Sequence, residues 1–308
     1  MVVLNYHRIR PDDAGFSTPF DDGVYGPTAS QFEEQMLWLK RHIRVLAEAD
    51  IIECLRLRRE PGEMSVVVTT DDGYRDNYTH VYPVLRRHQI PAIFFVASDL
   101  IESRHLGWWD RLANMLKRTT KTRITYEGRT LDLVRHREEA FAFLKRTIVD
   151  SMRSEARDPL DLLATICEVD PPSAQDQDRE LMTWEQLKEI SEHGIVIGSH
   201  THNHPALSQL DPERQRAELT VSKELIACRT GSAVRSIAYP IGGRAHFTAE
   251  TQRIGKESGY DLGFSFYSGF NRWSTMDAFD VRRTEVAHHD RIGAAAAAIL
   301  PELLSWAS

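Results

Sequence analysis

The chain of 308 residues carries 38 lysines and arginines against 45 aspartates and glutamates, so its net charge is −7 when histidine is neutral. A negative net charge argues against general nucleic-acid binding. The three cysteines form no Cys-x-x-Cys pair, which indicates neither a disulfide framework nor a thiolate zinc site and favours a reducing compartment. The amino terminus does not resemble a signal peptide, and no apolar stretch approaches the roughly 20 residues that span a bilayer. We therefore expect a cytoplasmic protein.

Predicted strands and helices alternate along the sequence. Short β-rich apolar runs predict strands, and apolar residues at helical spacing predict the helices between them. An alternation repeated at least five times indicates a parallel α/β architecture. The predicted strands are 2–6, 66–69, 91–97, 194–198, 235–240, 262–265 and 281–286. The predicted helices begin at 28–32, cover 74–88, begin again at 183, cover 211–228 and 248–258, and end with a closing helix containing 294–298.

Two of these helices begin with a capping-box pattern, in which a hydroxyl residue precedes Glu or Gln by three positions. Ser30 with Glu33 predicts the start of the first helix, and Thr183 with Gln186 predicts the start of a later one. Apolar residues at helical spacing predict the buried face of the first helix. That face consists of Phe32, Met36, Leu37 and Leu39.

Residues 102–182 interrupt the alternation and predict a mostly helical insertion or lid within a single domain of residues 1–308. Between residues 111 and 146, ten lysines and arginines stand against four aspartates and glutamates. Such a patch could meet an anionic substrate or make a peripheral contact with an anionic membrane surface. A solvated helix face is the more common meaning of this charge pattern.

Two adjacent carboxylates follow the most apolar of the predicted strands. The run Val66–Thr69 leads into Asp71, Asp72 and Gly73, and sites in parallel α/β folds form where strands end. Neighbouring carboxylates repel in a buried site, whereas a bound cation removes that repulsion, so one Asp could ligate a metal while the other acts as a base. Asp-Asp-Gly is also good turn chemistry. We predict a surface turn for its second copy, Asp21–Gly23, which no strand precedes.

Two histidines follow another predicted strand. His200 and His204 are four residues apart, a spacing that brings two imidazoles to one side of a helical turn, while His202 should point elsewhere. Because strand ends of a parallel sheet share an edge, Asp72 is expected beside them. One carboxylate and two imidazoles form the ligand count of a catalytic zinc site, and Asp71 is then the natural base. The other ten histidines are predicted to be structural or exposed, His7 and His246 among them.

These motifs resemble those of the polysaccharide deacetylases, carbohydrate esterase family 4 with its NodB-homology domain. The segment Thr69–Gly73 (TTDDG) is similar to the family's T-F-D-D-G, and His200–Pro205 (HTHNHP) matches H-[ST]-x-x-H-P. Asn5–Ile9 (NYHRI) resembles the opening of many members. The resemblance covers nearly the whole chain apart from the insertion and implies one catalytic domain with a distorted (β/α) barrel of about seven strands. It also implies that Asp72, His200 and His204 bind the metal and that Asp71 is the catalytic base.

The third motif departs from the usual pattern, in which an Arg precedes Pro-Tyr. The segment Ile237–Gly243 (IAYPIGG) resembles the A-Y-P-x-G branch and lacks that Arg. By resemblance the backbone N–H of Tyr239 helps the metal hold the oxyanion. Arg283 is expected to replace the missing Arg by orienting Asp71, and Arg282 is its rival.

The last motif of the family, L-x-H, supplies the general acid in many members and is poorly matched here. His288 and His289 are weak candidates. If Arg283 faces the site, alternation along the strand turns Glu285 and His289 inward as well. We leave the general acid unassigned on the sequence alone.

The expected activity is metal-assisted hydrolysis of an N-acetyl group on an amino sugar. Zinc is favoured, with Co²⁺, Ni²⁺, Mn²⁺ or Fe²⁺ as substitutes. A cytoplasmic location suggests a nucleotide-linked or lipid-linked amino sugar as the substrate. The alternatives are another amide or formamide hydrolase with identical ligands, an Fe(II) oxygenase, which also uses two His and one carboxylate, and a glycan-binding protein without catalysis.

Overall fold

The structure is a computed structural model that describes residues 1–152 and 159–286. The predicted closing helix containing 294–298 and the two candidate acids His288 and His289 lie outside those residues. The strands are β1 Val2–Tyr6, β2 Arg8–Arg10, β3 Tyr25–Thr28, β4 Arg44–Val45, β5 Ser65–Thr70, β6 Ile93–Val96, β7 Arg123–Tyr126, β8 Arg129–Asp132, β9 Val196–Ser199, β10 Ser236–Ala238, β11 Leu262–Phe264 and β12 Thr284–Glu285.

Eleven α-helices surround these strands in the described part of the chain. They are α1 Ala29–His42, α2 Glu48–Leu57, α3 Tyr82–His88, α4 Ser98–Ser103, α5 Trp108–Arg118, α6 Arg137–Ser151, α7 Pro159–Cys167, α8 Ala174–Glu180, α9 Trp184–Glu192, α10 Pro212–Thr230 and α11 Ala249–Glu257. Short 3₁₀ turns at Asp22–Val24 and Leu207–Gln209 and a π-helical turn at Asn77–Val81 complete the order. Within the described residues, no helix combines the length and apolar character needed to cross a membrane.

A parallel sheet of eight strands forms the centre of the fold. Seven of them follow the order β11-β10-β9-β6-β5-β1-β12, and β4 pairs with β5 beside this path. Val281 bridges Phe264 in β11, and β12 pairs with β1, so the segment 281–285 joins the two edges. The predicted α/β fold, a distorted barrel of about seven strands, is confirmed. The strand predicted at 281–286 is reduced to β12 and this bridge.

The sequence of β5 explains its central place in the sheet. All six residues of Ser65–Thr70 are buried, as expected for a strand covered on both faces. Val67 belongs to the apolar cluster inside the barrel, whereas Val66 and Val68 belong to the cluster between the strands and the helices. Each buried valine contributes about 1.5–3 kcal/mol relative to an exposed one. This packing fixes the strand end from which Asp71 and Asp72 emerge.

The insertion at 102–182 is mostly helical, as predicted, and holds its own apolar cluster. It also contains an antiparallel hairpin, β7–β8, which was not among the predicted elements. Trp108 packs against both the insertion cluster and the main one. The insertion is therefore joined to the barrel at the residue where α5 begins.

One of the two predicted helix caps is correct. Thr183 caps α9 in a capping box with Gln186, as expected. The box of α1 is formed by Thr28 and Gln31 rather than by Ser30 and Glu33, because Ser30 donates its hydroxyl hydrogen to Asp12 at 2.7 Å. Phe32, Met36 and Leu39 are buried on α1, but Leu37 is 40% exposed, against the prediction.

Candidate active site

The carboxyl ends of several central strands converge on one cavity of about 200 Å³. Asp71 and Asp72 follow β5, His200 follows β9, and Tyr239 follows β10. All four line the cavity together with His204. The structure therefore brings the two predicted motifs to the same edge of the sheet.

Asp72, His200 and His204 present three donor atoms within 4.8 Å of one another, and all three side chains are buried. Asp72 Oδ1 is 3.5 Å from His200 Nε2 and 3.4 Å from His204 Nε2. Two ligands bound at about 2.0–2.2 Å to a tetrahedral zinc ion stand about 3.3–3.5 Å apart, so these spacings fit a shared ion. Asp72 Oδ1 has no hydrogen-bond partner among the described residues, as expected for an oxygen that binds a cation.

The loop that carries the two histidines is not the helical turn that their spacing suggested. Thr201 and His204 have positive φ angles of 65° and 57°, a left-handed backbone that costs energy outside glycine. Glu218 on α10 holds this loop. Its carboxylate accepts hydrogen bonds from the backbone N–H groups of His202 and Asn203 at 2.9 and 2.8 Å, and from the Asn203 amide at 2.7 Å.

Each histidine ring is oriented by a different neighbour. His200 Nδ1 lies 2.8 Å from the carbonyl oxygen of Ala238, so Nδ1–H donates there and Nε2 faces the cavity. Burial lowers the pKa of His200 to about 4, which keeps the ring in the neutral form that binds metals. The His204 ring packs on the indole of Trp109, with centroids 4.3 Å apart. His202 turns away and bonds to α4, as predicted.

Asp71 is held by two side chains that come from opposite ends of the chain. Arg283 Nη1 donates to Asp71 Oδ1 at 2.6 Å, and Asn5 Nδ2 donates to Oδ2 at 3.1 Å. Burial alone would raise the pKa of Asp71, but Arg283, His200 and His7 together outweigh it, Arg283 most of all, and hold that pKa well below its usual range. The Arg282 guanidinium lies 5.7 Å from the Tyr267 ring instead. The structure thus brings Arg283, and not Arg282, to Asp71.

Tyr239 lines the cavity, but its backbone N–H is already used. It donates to the carbonyl of Phe264 at 2.9 Å, whereas the resemblance assigns this N–H to the oxyanion. Ile241, two residues later, also lines the cavity and has φ of 61°. Its N–H has no partner among the described residues.

His7 lines the cavity, against the prediction that it is structural or exposed. It follows β1, and its Nε2 lies 3.8 Å from Asp71 Oδ2. The ring packs edge-on against Phe266, with centroids 5.3 Å apart. A position directly after a strand of the parallel sheet was the signal that could have identified it. Glu285 also lines the cavity. This agrees with the prediction that Glu285 faces the same side of its strand as Arg283.

The insertion and a nearby turn form one wall of the cavity. Trp108 and Trp109 of α5 and Lys145 of α6 line it. Lys145 Nζ is 3.2 Å from Asp21 Oδ2. Gly23 also lines the cavity, and Asp21 is buried. The turn Asp21–Gly23, predicted to be a surface loop, is therefore part of the site wall.

A buried chain of hydrogen bonds supports the indole that packs on His204. Trp109 Nε1 donates to the Tyr74 hydroxyl at 2.7 Å, and that hydroxyl donates to Asp110 Oδ2 at 2.7 Å. The backbone N–H of Asp21 donates to Asp110 Oδ1 at 2.9 Å. Burial raises the pKa of Asp110 to about 6. Through Trp109, the insertion thus helps to position the His204 ring, one of the metal-ligand candidates.

The chain belongs to the polysaccharide deacetylase family, whose sequence pattern matches residues 58–263, more than half of its length. YxkH of Bacillus subtilis (strain 168), named as a polysaccharide deacetylase, is 24% identical over 240 residues, which are 78% of this chain and 58% of YxkH. A poly-β-1,6-N-acetyl-D-glucosamine N-deacetylase of Staphylococcus aureus (strain N315) is 29% identical over 141 residues, 43% of this chain and 48% of that enzyme. The chain thus spans about half the length of these relatives.

Solved structures of similar fold cover nearly all of the chain. A Streptococcus pyogenes deacetylase, PplD, in complex with acetate has a TM-score of 0.63 at 18% identity, with 97% of each chain covered. IcaB from Ammonifex degensii has a TM-score of 0.59 at 22% identity, with 96% of each chain covered. At these identities the likeness concerns the fold alone, and it agrees with the parallel barrel described above.

Proposed function

We propose that this protein is a metal-dependent N-deacetylase that acts on N-acetylated amino sugars. The supporting observation is the donor set of Asp72, His200 and His204 beside a second carboxylate, Asp71, whose Oδ2 is 3.8 Å from His200 Nε2. A divalent cation held by these donors, with zinc favoured, would polarise the acetamide carbonyl and make a water easier to deprotonate. Co²⁺, Ni²⁺, Mn²⁺ and Fe²⁺ suit a similar donor set.

The surrounding residues have separate roles in this proposal. Asp71 accepts a proton from the attacking water, and its contacts with Arg283 and Asn5 fix its orientation. His7 is the general acid that gives a proton to the leaving nitrogen, because it reaches the cavity on the side of Asp71. We assign the second oxyanion donor to the N–H of Ile241 in place of Tyr239, since the Tyr239 N–H bonds within the sheet.

The substrate we favour is N-acetylglucosamine within a glycan. The Staphylococcus aureus relative is named for poly-β-1,6-N-acetyl-D-glucosamine, which supports this choice. The nucleotide-linked or lipid-linked precursor expected from the sequence would place phosphate near the basic insertion. Lys145, the lysine of the insertion that lines the site cavity, is instead paired with Asp21. This pairing favours an uncharged glycan over a phosphorylated precursor.

We also propose that residues 1–308 form one catalytic domain with an insertion at about 102–182. Side chains of the insertion line the same cavity as the metal-ligand candidates, which supports this. A cytoplasmic location and a peripheral membrane contact also stay predictions. Fractionation of cells that produce the protein would check both.

The test is acetate release from a panel of N-acetylated sugars, sugar nucleotides and β-1,6-linked N-acetylglucosamine oligomers. Metal-stripped protein is assayed with and without Zn²⁺, beside Asp71→Asn and the control Asp161→Asn, which changes an exposed residue of α7. Zinc-dependent release that Asp71→Asn abolishes and Asp161→Asn retains supports the proposal. Hydrolysis of other amides alone favours another C–N hydrolase. Sugar binding without hydrolysis favours a binding protein.

A further inference from the structure

A second cavity opens beside the active-site cavity, and the two share Gly23 and Lys145 in their walls. We call it the insertion cavity, because faces of α5 and α6 form most of its wall opposite the turn Asp21–Gly23. Its volume is about 630 Å³, against about 200 Å³ for the active-site cavity. Small-molecule sites typically measure about 300–1,000 Å³. The active-site cavity alone is thus small for a ligand, whereas the insertion cavity falls within the usual range.

The insertion cavity combines an aromatic face with two ion pairs. Phe141 lies on its wall, and Lys145 Nζ stands 5.1 Å from the centre of the Phe141 ring while it bonds Asp21. Lys117 Nζ bonds Asp22 at 2.6 Å. The lining holds three basic and three acidic side chains in all. A wall without excess positive charge does not select phosphate, whereas an apolar ring beside fixed polar groups is the usual lining for an uncharged polar ligand.

Hydrogen bonds fix the residues that lie at the junction of the two cavities. Lys145 reaches both of them, and its partner Asp21 is buried and held in turn by the bond from its backbone N–H to Asp110. Asp110 also accepts the hydrogen bond of Tyr74, which contacts Trp109 beside His204. The position of the junction is therefore fixed relative to the candidate metal ligands.

We propose that the insertion cavity is a subsite for a neighbouring sugar of the same glycan whose N-acetyl group lies in the active-site cavity. Phe141 supplies the face on which that sugar rests, and Lys145 lies between the two sugars. The proposal rests on the proposed deacetylase function and adds to it a preference for oligomers over single sugars.

The test compares β-1,6-linked N-acetylglucosamine from the monomer to the pentamer, with wild type, Phe141→Ala and Phe143→Ala. Phe143 is the matched control because it lies on the same helix and packs near Arg129 rather than in the insertion cavity. We expect wild-type kcat/KM to be higher for the pentamer than for the monomer. Phe141→Ala should lower kcat/KM for the pentamer by about tenfold, as for loss of one good aromatic contact. It should leave kcat/KM for the monomer unchanged. Phe143→Ala should have the wild-type kcat/KM for both substrates.

The same panel separates failure of this inference from failure of the proposed function. Equal kcat/KM for monomer and pentamer, or equal losses in Phe141→Ala and Phe143→Ala, would overturn the subsite while the deacetylase function stands. Calorimetric binding of the pentamer to Asp71→Asn protein supplies a readout without turnover. Tight pentamer binding that Phe141→Ala weakens, without acetate release from any wild-type sample, would support the subsite and refute the deacetylase function.

Discussion

Replacing Glu218 by Gln is expected to weaken metal binding although Glu218 is not among the proposed ligands. Its carboxylate accepts three hydrogen bonds from His202 and Asn203, which lie between the two candidate ligands His200 and His204. The loop includes two non-glycine residues with positive φ. Without the carboxylate, the backbone is freer to leave this left-handed conformation and separate the two imidazoles.

The magnitude follows from the two backbone hydrogen bonds to Glu218 Oε2. A hydrogen bond to a charged group contributes about 1.5–3 kcal/mol, and a neutral one about 0.5–1.5 kcal/mol. A Gln oxygen in the same position keeps both bonds but loses the charge, at a cost of about 1 kcal/mol each. The total of about 2 kcal/mol corresponds to about a 30-fold rise in the Kd for zinc. Loss of outer contacts to metal ligands commonly costs about 10–100-fold.

The assay is zinc competition against a chromogenic chelator, with the metal-stripped protein. Glu224→Gln is the matched control, because Glu224 is an exposed residue of the same helix. We expect Glu224→Gln to bind zinc as wild type does and Glu218→Gln to bind it about 30-fold more weakly. Equal Kd values for the two variants would refute the reasoning that Glu218 positions the loop.

Three further changes probe the site. His7→Gln should lower kcat for acetate release by about 10²–10⁴-fold with zinc Kd unchanged, and an unchanged kcat would exclude His7 as the acid. Trp109→Phe should lower the free energy of urea unfolding by about 1–3 kcal/mol, since the buried Tyr74 hydroxyl loses its donor; an unchanged value would contradict this. Burial raises the pKa of Asp110 from 3.8 to about 6, so its contribution to stability falls as pH rises through this range. The free energy of unfolding of metal-free wild type, minus that of Asp110→Asn, should then fall by about 2 kcal/mol between pH 4 and 6. A constant difference would contradict the raised pKa.

The sequence was sufficient for the features that depend on a few neighbouring residues. Val66–Thr69 predicted a buried strand because its residues favour sheet on both faces, and the position of Asp71 and Asp72 followed from the strand end. The motif around His200 and His204 likewise indicated a site at the same edge. Thr183 was identified as a helix cap because Gln186 completes a local hydrogen-bond pattern.

Features that depend on distant partners could not be read in this way. The place of His7 after a predicted strand was a local signal, but nothing near Asn5 or His7 in the sequence indicated Asp71 as their partner. Their contacts with Asp71 join residues more than 60 positions apart. Ser30 matched the capping pattern as well as Thr28 did, and its bond to Asp12 decided against it. The β7–β8 hairpin did have a local signal that was missed. Its turn residues Glu127 and Gly128 both have positive φ, as a two-residue hairpin turn requires.

The neighbouring positions of β1 and β12 affect the order in which the site can form. Arg283 donates a hydrogen bond to Asn5 across a separation of 278 residues. His200 and His204 are only four positions apart, and their separation from Asp72 in the sequence is smaller than that between Arg283 and Asn5. Contacts of large sequence separation form late, because a long loop must close first. During folding, the metal-ligand candidates can therefore assemble before Asp71 receives its guanidinium partner. A folding intermediate that binds zinc but holds no oriented base is the expected consequence.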